Sequence, residues 1–253
     1  MTPYYADDLV TLYLGDMREV LPALGLEADC VIADPPYGET SLEWDKWQDG
    51  WLEAVAPATR SLWCFGSMRM FGGHWGEFTA AGWKFSQDIV WEKHNGSSSA
   101  ADRFRRVHEA AAHWYQGDWD GIRHQVPTTA DAVARTVRRK QRPPHWGDIG
   151  AGAYESHDGG PRLTRSVIYA RSMHGTAIHA TQKPAAILAP LLEYACEPGG
   201  MVIDPFAGSG STLYTARLTG RRAVGIEGDE KHAERAAEWL SRPFQPDLFG
   251  GAA

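Results

Sequence analysis

One segment near the C-terminal end constrains the fold more than any other. Residues 201–227 read as a strand (MVID), a glycine-rich loop (PFAGSG), a helix and a second strand (RAVGIE). The glycines let the backbone pass close to a ligand, and the start of the helix offers free N–H groups to an anionic group such as a carboxylate. This arrangement predicts an open α/β sheet with a ligand-binding loop at a strand end.

The glycine-rich loop departs from the two common phosphate-binding patterns. No lysine follows its last glycine, as it would in a P-loop, and Leu213 stands where a dinucleotide-binding loop has its third glycine. A phosphate ligand is therefore disfavoured. Glu227 ends the second strand, where an acidic residue accepts hydrogen bonds from ribose hydroxyls in nucleotide-binding folds. A plain glycine-rich turn followed by a solvated glutamate is the alternative interpretation.

A second motif, Asp34-Pro35-Pro36-Tyr37, directly follows the predicted buried strand DCVIA. Two prolines remove two N–H donors, so the loop offers hydrogen-bond acceptors: the Asp34 carboxylate and backbone carbonyls. An aromatic amino group has two N–H donors and a delocalised lone pair. Acceptors at Asp34 and the Pro35 carbonyl can hold both N–H groups, and the Tyr37 ring can stack on the base. The tetrapeptide alone is also compatible with an ordinary turn after a strand.

Alternating strands and helices are predicted on both sides of a less regular middle segment. The apolar pattern predicts strands at 10–14, 61–66 and 84–93 and helices at 17–24, 185–195 and 229–240. Residues 94–172 are rich in Gly, Ser, Arg and His and are interpreted as an insertion. We therefore expect a main domain of 1–93 and 173–242, and a flexible tail of 243–253 that contains two prolines and adjacent glycines.

The charge distribution is uneven. The chain of 253 residues carries −7 overall, whereas residues 93–171 carry +5 and the remainder −12. An acidic body with a basic middle segment suits a protein that contacts phosphates through one part only.

The three cysteines form no CxxC pair, so no metal site is expected. Neither a signal peptide nor a long apolar stretch is visible, and a cytoplasmic protein without membrane contact is expected.

The two motifs, in this order, resemble those of the amino-group DNA methyltransferases of the beta class. TQKP at 181–184, GGMVIDPFAGSGST and RRAVGIEGDE follow the family order and spacing over about residues 10–93 and 179–241. The resemblance implies a doubly wound, Rossmann-like methyltransferase fold with a mostly parallel sheet and an inserted target-recognition region. It further implies S-adenosylmethionine as cofactor, no metal, and double-stranded DNA as substrate.

The resemblance also assigns roles to individual residues. It implies a catalytic loop formed by Asp34, Pro35, Pro36 and Tyr37. It implies cofactor contacts from Asp16, Thr181, Lys183, Asp204, Phe206, Gly208, Ser209, Gly210 and Glu227. For Asp16, a helix N-cap is an equally good interpretation. His108 and Glu109 are interpreted as structural, because the transfer needs neither a metal nor a strong base.

The first residue of the catalytic motif favours adenine N6 as the methylated position. An aspartate at this position is typical of adenine-specific members, and cytosine N4 is the alternative target. RNA or protein-glutamine methylation and a DNA-binding relative without catalysis are further alternatives. The sequence is compatible with a homodimer.

In the tail, Gln245, Leu248 and Phe249 resemble the peptide with which bacterial proteins dock on the sliding clamp. The alternative is that this peptide folds back onto the enzyme.

Overall fold

The structure is a computed structural model and describes residues 1–97, 101–139, 152–172 and 182–242. Within these ranges the strands are β1 Tyr5–Ala6, β2 Val10–Leu14, β3 Cys30–Ala33, β4 Ser61–Gly66, β5 Lys84–Ser97, β6 Arg106–Tyr115, β7 Thr128–Thr129, β8 Arg135–Arg139, β9 Gly152–Ser156, β10 Arg162–Leu163, β11 Val167–Tyr169, β12 Met201–Asp204 and β13 Arg222–Glu227. The helices are α1 Met17–Leu24, α2 Trp51–Val55, α3 Met68–Ala80, α4 Ala185–Ala195, α5 Ser211–Leu218 and α6 Glu230–Leu240.

Nine strands form one sheet in the order β1-β2-β13-β12-β3-β4-β6-β5-β11. The five pairings β2–β13, β13–β12, β12–β3, β3–β4 and β5–β11 are parallel, and the other three are antiparallel. The prediction of a mostly parallel α/β sheet is confirmed. The strands predicted at 10–14 and 61–66 and the helices at 17–24 and 185–195 also have the predicted bounds.

Apolar side chains cover both faces of this sheet, as a doubly wound fold requires. On β4, Trp63 belongs to the buried cluster that packs against α4, α5 and α6. The adjacent Leu62 belongs to the cluster against α1, α2 and α3. This alternation within a fully buried strand is why the sequence shows a continuous apolar run rather than an amphipathic one.

The sheet order brings the two motifs together. β3 pairs with β12 through Cys30 opposite Val202 and Val31 opposite Ile203. Since the two strands are parallel, the loops that follow them leave at the same edge of the sheet. The catalytic loop that begins at Asp34 and the glycine-rich loop after Asp204 are therefore neighbours.

The middle segment is divided differently from the sequence prediction. Residues 126–165 form a separate unit, in which β7 pairs with β10 and β8 with β9. Residues 1–125 and those from 166 onward form the main unit. The predicted insertion, residues 94–172, therefore includes β6, which lies between β4 and β5 inside the main sheet. The assignment of a target-recognition region within it stays a prediction. Trp114 of β6 is fully buried, as predicted for a core residue.

Within the described residues, no helix has the length and apolar character needed to cross a membrane. The C-terminal stretch 243–253, with the proposed clamp-docking residues, lies outside the described residues, as does Thr181.

Candidate active site

Both motifs line one cleft of about 1020 Å³ at the edge where β3, β12 and β13 end. Asp34 and Tyr37 lie on its wall, together with Asp204, Phe206 and Glu227. The volume is at the upper end of the range for small-molecule pockets, so a cofactor and a second group can share it. Apart from Gly210 and from Thr181, which lies outside the described residues, the predicted catalytic and cofactor residues all line this cleft; their roles stay predictions.

Asp34 is held by hydrogen bonds on both carboxylate oxygens. Tyr37 donates its hydroxyl to Oδ1 at 2.7 Å, and Lys183 donates Nζ to Oδ2 at 2.5 Å. Each carboxylate oxygen can accept more than one hydrogen bond, so acceptor capacity remains on both. Burial and the nearby Asp34 carboxylate raise the pKa of Tyr37 well above its usual value, which keeps the phenol a donor.

The backbone after Tyr37 is fixed by a buried carboxylate. Asp45 accepts hydrogen bonds from Gly38 N at 2.9 Å and from Thr40 N at 2.7 Å. Burial acts to raise the pKa of Asp45, but hydrogen bonds from the Thr40 side chain and from the backbone N–H groups of Gly38 and Thr40 outweigh it and lower the pKa. These hydrogen bonds fix the backbone of residues 38–40, which directly follow the catalytic tetrapeptide.

The glycine-rich loop is closed by hydrogen bonds from its own backbone. Gly208 N donates to Glu227 Oε2 at 2.7 Å, and Phe206 N donates to Asp204 Oδ1 at 3.0 Å. Gly208 and Gly210 have φ of 50° and 77°, in the left-handed region where a side chain is disfavoured. Gly210 is also the N-cap of α5, so the loop leads directly to the free N–H groups of that helix.

Asp204 is the most perturbed carboxyl of the site. It is 4% exposed, and burial raises its pKa to about 7; Asp34 and Glu227 contribute further to the rise. Hydrogen bonds from Thr212 and from the Phe206 amide act against this rise. Near neutral pH, Asp204 is therefore about half ionised. A cationic ligand group beside it would stabilise the ionised form through a buried ion pair.

Phe206 contributes an aromatic wall. Its ring packs edge-on against Trp51 of α2, with centroids 5.4 Å apart. Trp51 itself is fully buried, so it fixes the Phe206 ring from behind. Ser209 is buried, and its Oγ lies 2.7 Å from Ser211 Oγ at the start of α5.

Asp16 lines the cleft and also caps α1. Its carboxylate accepts a hydrogen bond from Arg18 N at 2.9 Å and pairs with the Arg18 guanidinium. The Arg18 side chain lowers the pKa of Asp16. The two interpretations of Asp16 are compatible, because a capping carboxylate at this edge still faces the cleft.

The sequence interpretation missed an ion-pair network that also lines the cleft. Lys183, expected near the cofactor, has its ammonium on Asp34, and its Nζ lies 3.4 Å from Glu109 Oε2. Glu109 also pairs with Lys93. The sequence held one indication of this: Glu109 directly precedes the apolar run Ala110-Ala111-Ala112 of β6, so its carboxylate lies next to the buried part of the strand. Among the described residues, no cluster of His, Cys, Asp and Glu could hold a metal ion.

Comparison with known proteins agrees with this arrangement. A family model described as DNA methylase matches residues 28–238. The type II methyltransferase M.HinfI of Haemophilus influenzae is 25% identical over 271 residues, which cover 95% of this chain and 70% of the relative.

Solved structures share the fold. The M1.HpyAVI complex with S-adenosylmethionine superposes with a TM-score of 0.61 at 21% identity, covering 92% of this chain and 100% of the other. The cytosine-N4-specific PvuII DNA methyltransferase gives a TM-score of 0.63 at 14% identity, covering 97% of this chain and 91% of the other. Since the family model spans well over half of the sequence and both family motifs line one cleft, the chain belongs to the DNA methylase family of N6 and N4 methyltransferases.

Proposed function

We propose that this DNA methylase transfers a methyl group from S-adenosylmethionine to the N6 amino group of adenine in double-stranded DNA. The observation that carries the proposal is the meeting of Asp34 and the glycine-rich loop at the ends of two adjacent parallel strands. The complex of M1.HpyAVI with S-adenosylmethionine supports the choice of cofactor.

The residues of the glycine-rich loop fit this cofactor. The free N–H groups at the start of α5 suit the methionine carboxylate, and the buried Asp204 carboxyl suits a cationic group. Glu227 offers acceptors for the ribose hydroxyls, and Phe206 walls the cleft. Asp16, Ser209, Gly208 and Gly210 complete the proposed cofactor contacts, with Thr181 as an expected contact outside the described residues. Lys183, predicted from the sequence as a further cofactor contact, donates its ammonium to Asp34. When bound, the cofactor supplies an electrophilic methyl group on a sulfonium.

The catalytic loop acts on the target amino group. The Asp34 carboxylate and the Pro35 carbonyl accept its two N–H groups and orient the nitrogen lone pair, while Pro36 keeps the loop stiff. Tyr37 lies at the cleft wall with its ring available for stacking on a base rotated out of the duplex. The amino nitrogen gains the methyl group as the bond from that methyl to the sulfonium sulfur breaks, and the Asp34 carboxylate stabilises the positive charge that develops on the nitrogen. One N–H proton then leaves the nitrogen.

Adenine is preferred over cytosine because the motif begins with aspartate. The fold itself does not separate the two targets, since the PvuII enzyme named as cytosine-N4-specific has the same fold. The test is incubation of unmethylated DNA with the protein and S-adenosylmethionine, followed by digestion to nucleosides and mass spectrometry. N6-methyl-2'-deoxyadenosine supports the proposal, and N4-methyl-2'-deoxycytidine selects the alternative. The absence of both products refutes both assignments.

We propose that the middle segment, residues 94–172, is the target-recognition region; it contains the separate unit of residues 126–165. Arg138 is exposed there, and Arg139 follows it on β8. If this region contacts phosphates, DNA affinity falls steeply with salt concentration, and neutralising Arg138, Arg139 and Lys140 together flattens the dependence. An unchanged slope would mean that these residues make no phosphate contacts.

Docking on a bacterial sliding clamp through Gln245, Leu248 and Phe249 is a separate proposal that rests on the peptide sequence alone. Calorimetric titration of the protein with a clamp, with and without residues 245–249, tests it. Binding lost on deletion supports docking, and no binding at tens of micromolar clamp refutes it. A homodimer is tested independently by sedimentation.

A further inference from the structure

Lys183 is buried between two carboxylates. Its Nζ donates to Asp34 Oδ2 at 2.5 Å and lies 3.4 Å from Glu109 Oε2, while its side chain is only 9% exposed. The Nζ also lies 5.0 Å from the centroid of the Phe65 ring. Burial alone would lower the pKa of Lys183, but the carboxylates of Asp34 and Glu109 outweigh it and raise the pKa. The ammonium is therefore charged and depends on both partners.

Glu109 is anchored more firmly than Lys183. It is a residue of β6, paired opposite Trp91 of β5, so its backbone belongs to the central sheet. Its Oε1 accepts from Lys93, whose Nζ lies 4.5 Å from the centroid of the Trp91 ring. Burial acts to raise the pKa of Glu109, but Lys183 and Lys93 hold it below its usual range. Glu109 is thus an ionised carboxylate fixed to the rigid part of the fold.

A lysine side chain is a flexible four-carbon stem with a compact charge, so a single contact does not fix its ammonium. The second contact, with Glu109 Oε2, is an ion pair rather than a hydrogen bond, and it attracts the ammonium toward a carboxylate of the central sheet. We propose that Glu109 is a positioning residue for methyl transfer, which holds Lys183 Nζ against Asp34 Oδ2 and thereby orients the Asp34 carboxylate. This inference rests on the methyl transfer proposed above.

The Asp34 carboxylate then has a defined orientation before the base arrives. Tyr37 constrains Oδ1, and Lys183 constrains Oδ2. Displacement of a catalytic group by about 1 Å can cost about 10²-fold in rate. Loss of the Glu109 charge is therefore expected to affect turnover rather than cofactor binding. Two other roles for Glu109 must be distinguished from this one: support of the β5–β6 hairpin alone, and direct contact with the base.

The test uses the full chain, labelled S-adenosylmethionine and plasmid DNA from a host without methylation. Glu109→Gln keeps the shape of the side chain and removes its charge. We expect kcat to fall about 10- to 100-fold while KM for S-adenosylmethionine changes less than about threefold. Glu92→Gln neutralises an exposed carboxylate on the same strand pair and serves as the control; its kcat is expected to equal that of the wild type.

A double-mutant cycle separates the three roles. If Glu109 acts through Lys183, Glu109→Gln adds nothing once Lys183→Met is present, so the double variant matches Lys183→Met within about threefold. Losses that multiply mean that Glu109 acts independently and overturn the proposal. Wild-type turnover in Glu109→Gln also overturns it, as does a loss of kcat fully explained by thermal unfolding.

Glu109→Asp covers the case in which Glu109→Gln does not fold. It keeps the charge but shortens the side chain by one methylene, and we expect a kcat between the wild type and Lys183→Met with KM unchanged. A kcat for Glu109→Asp equal to the wild type contradicts the proposal. Absence of label transfer by the wild type on any DNA instead refutes the proposed function, so the two failures are distinguishable.

Discussion

Asp204 is expected to couple cofactor binding to proton release. Its carboxyl has a pKa of about 7, against a usual 3.8, chiefly because it is buried. A rise of this size corresponds to roughly 4 kcal/mol between the neutral and ionised forms. A cationic ligand group favours the ionised form, so the pKa in the complex is lower than in the free protein. Binding therefore releases a proton below about pH 7 and weakens as the pH falls.

The magnitude follows from the ionised fraction of the free protein. With a pKa of about 7, that fraction is roughly one half at pH 7 and about 1% at pH 5, so affinity falls up to about 50-fold over this interval. Asp204→Asn is neutral at every pH. We expect its affinity to be independent of pH from 5 to 7, close to that of the wild type at pH 5 and weaker at pH 8.

Calorimetric titration with S-adenosylmethionine measures the effect directly. Two buffers that differ in ionisation enthalpy give the number of protons released, and S-adenosylhomocysteine, which lacks the sulfonium charge, shows which cationic group interacts. Asp88→Asn, at an exposed position outside the cleft, is the matched control. Equal proton release by the wild type and Asp204→Asn would refute the assignment of the linkage to Asp204.

Three further predictions concern the catalytic loop and the packing of β13 against α5. Asp34→Ala is expected to lower turnover at least 10²-fold with cofactor affinity nearly unchanged, and retention of more than about a tenth of turnover would contradict this. Tyr37→Phe keeps the ring but frees Asp34 Oδ1, so we expect about a tenfold lower turnover in the same assay and a larger loss for Tyr37→Ala; a wild-type rate for Tyr37→Phe would assign no role to the hydroxyl. Gly225→Ala places a Cβ 2.7 Å from Leu213 Cδ1, and we expect this contact to lower the free energy of unfolding by about 1–3 kcal/mol in thermal denaturation. The control Gly72→Ala, in open space on α3, should not destabilise the protein. Equal stabilities of the two variants would show that the core adapts to the added methyl group.

Local pattern was sufficient for most elements and for both motifs. The strand bounds 10–14 and 61–66 follow from apolar runs, and the bounds of α1 follow from the cap Asp16 and from Gly25, which ends the helix with φ 58°. The position of the two motifs at strand ends followed from the same pattern. Strand bounds, helix caps and motif positions depend on contiguous residues, so the local sequence pattern is enough to predict them.

Pairings over long sequence distances were not predictable in the same way. The segment AAHWYQ, which contains the second half of β6, has a strand-like pattern, but the position of β6 between β4 and β5 did not follow from the sequence. The centre of β6 is Ala110-Ala111-Ala112, residues with little strand preference. The contact of Lys183 with Asp34 joins residues 149 positions apart. No local pattern encodes it, because it depends on the β3–β12 pairing and on the length of a flexible side chain.

The strand order also has a consequence for synthesis of the chain on the ribosome. β2 and β3 are near in sequence but are separated in the sheet by β13 and β12, which emerge much later. The catalytic tetrapeptide ends at residue 37 and Glu227 comes 190 positions afterwards, a delay of roughly 10 to 40 s at usual elongation rates. During this time the inner edges of β2 and β3 lack the partners that they have in the finished sheet. The N-terminal part of the nascent chain therefore needs protection from aggregation until translation reaches β13, and the cleft forms only at that point.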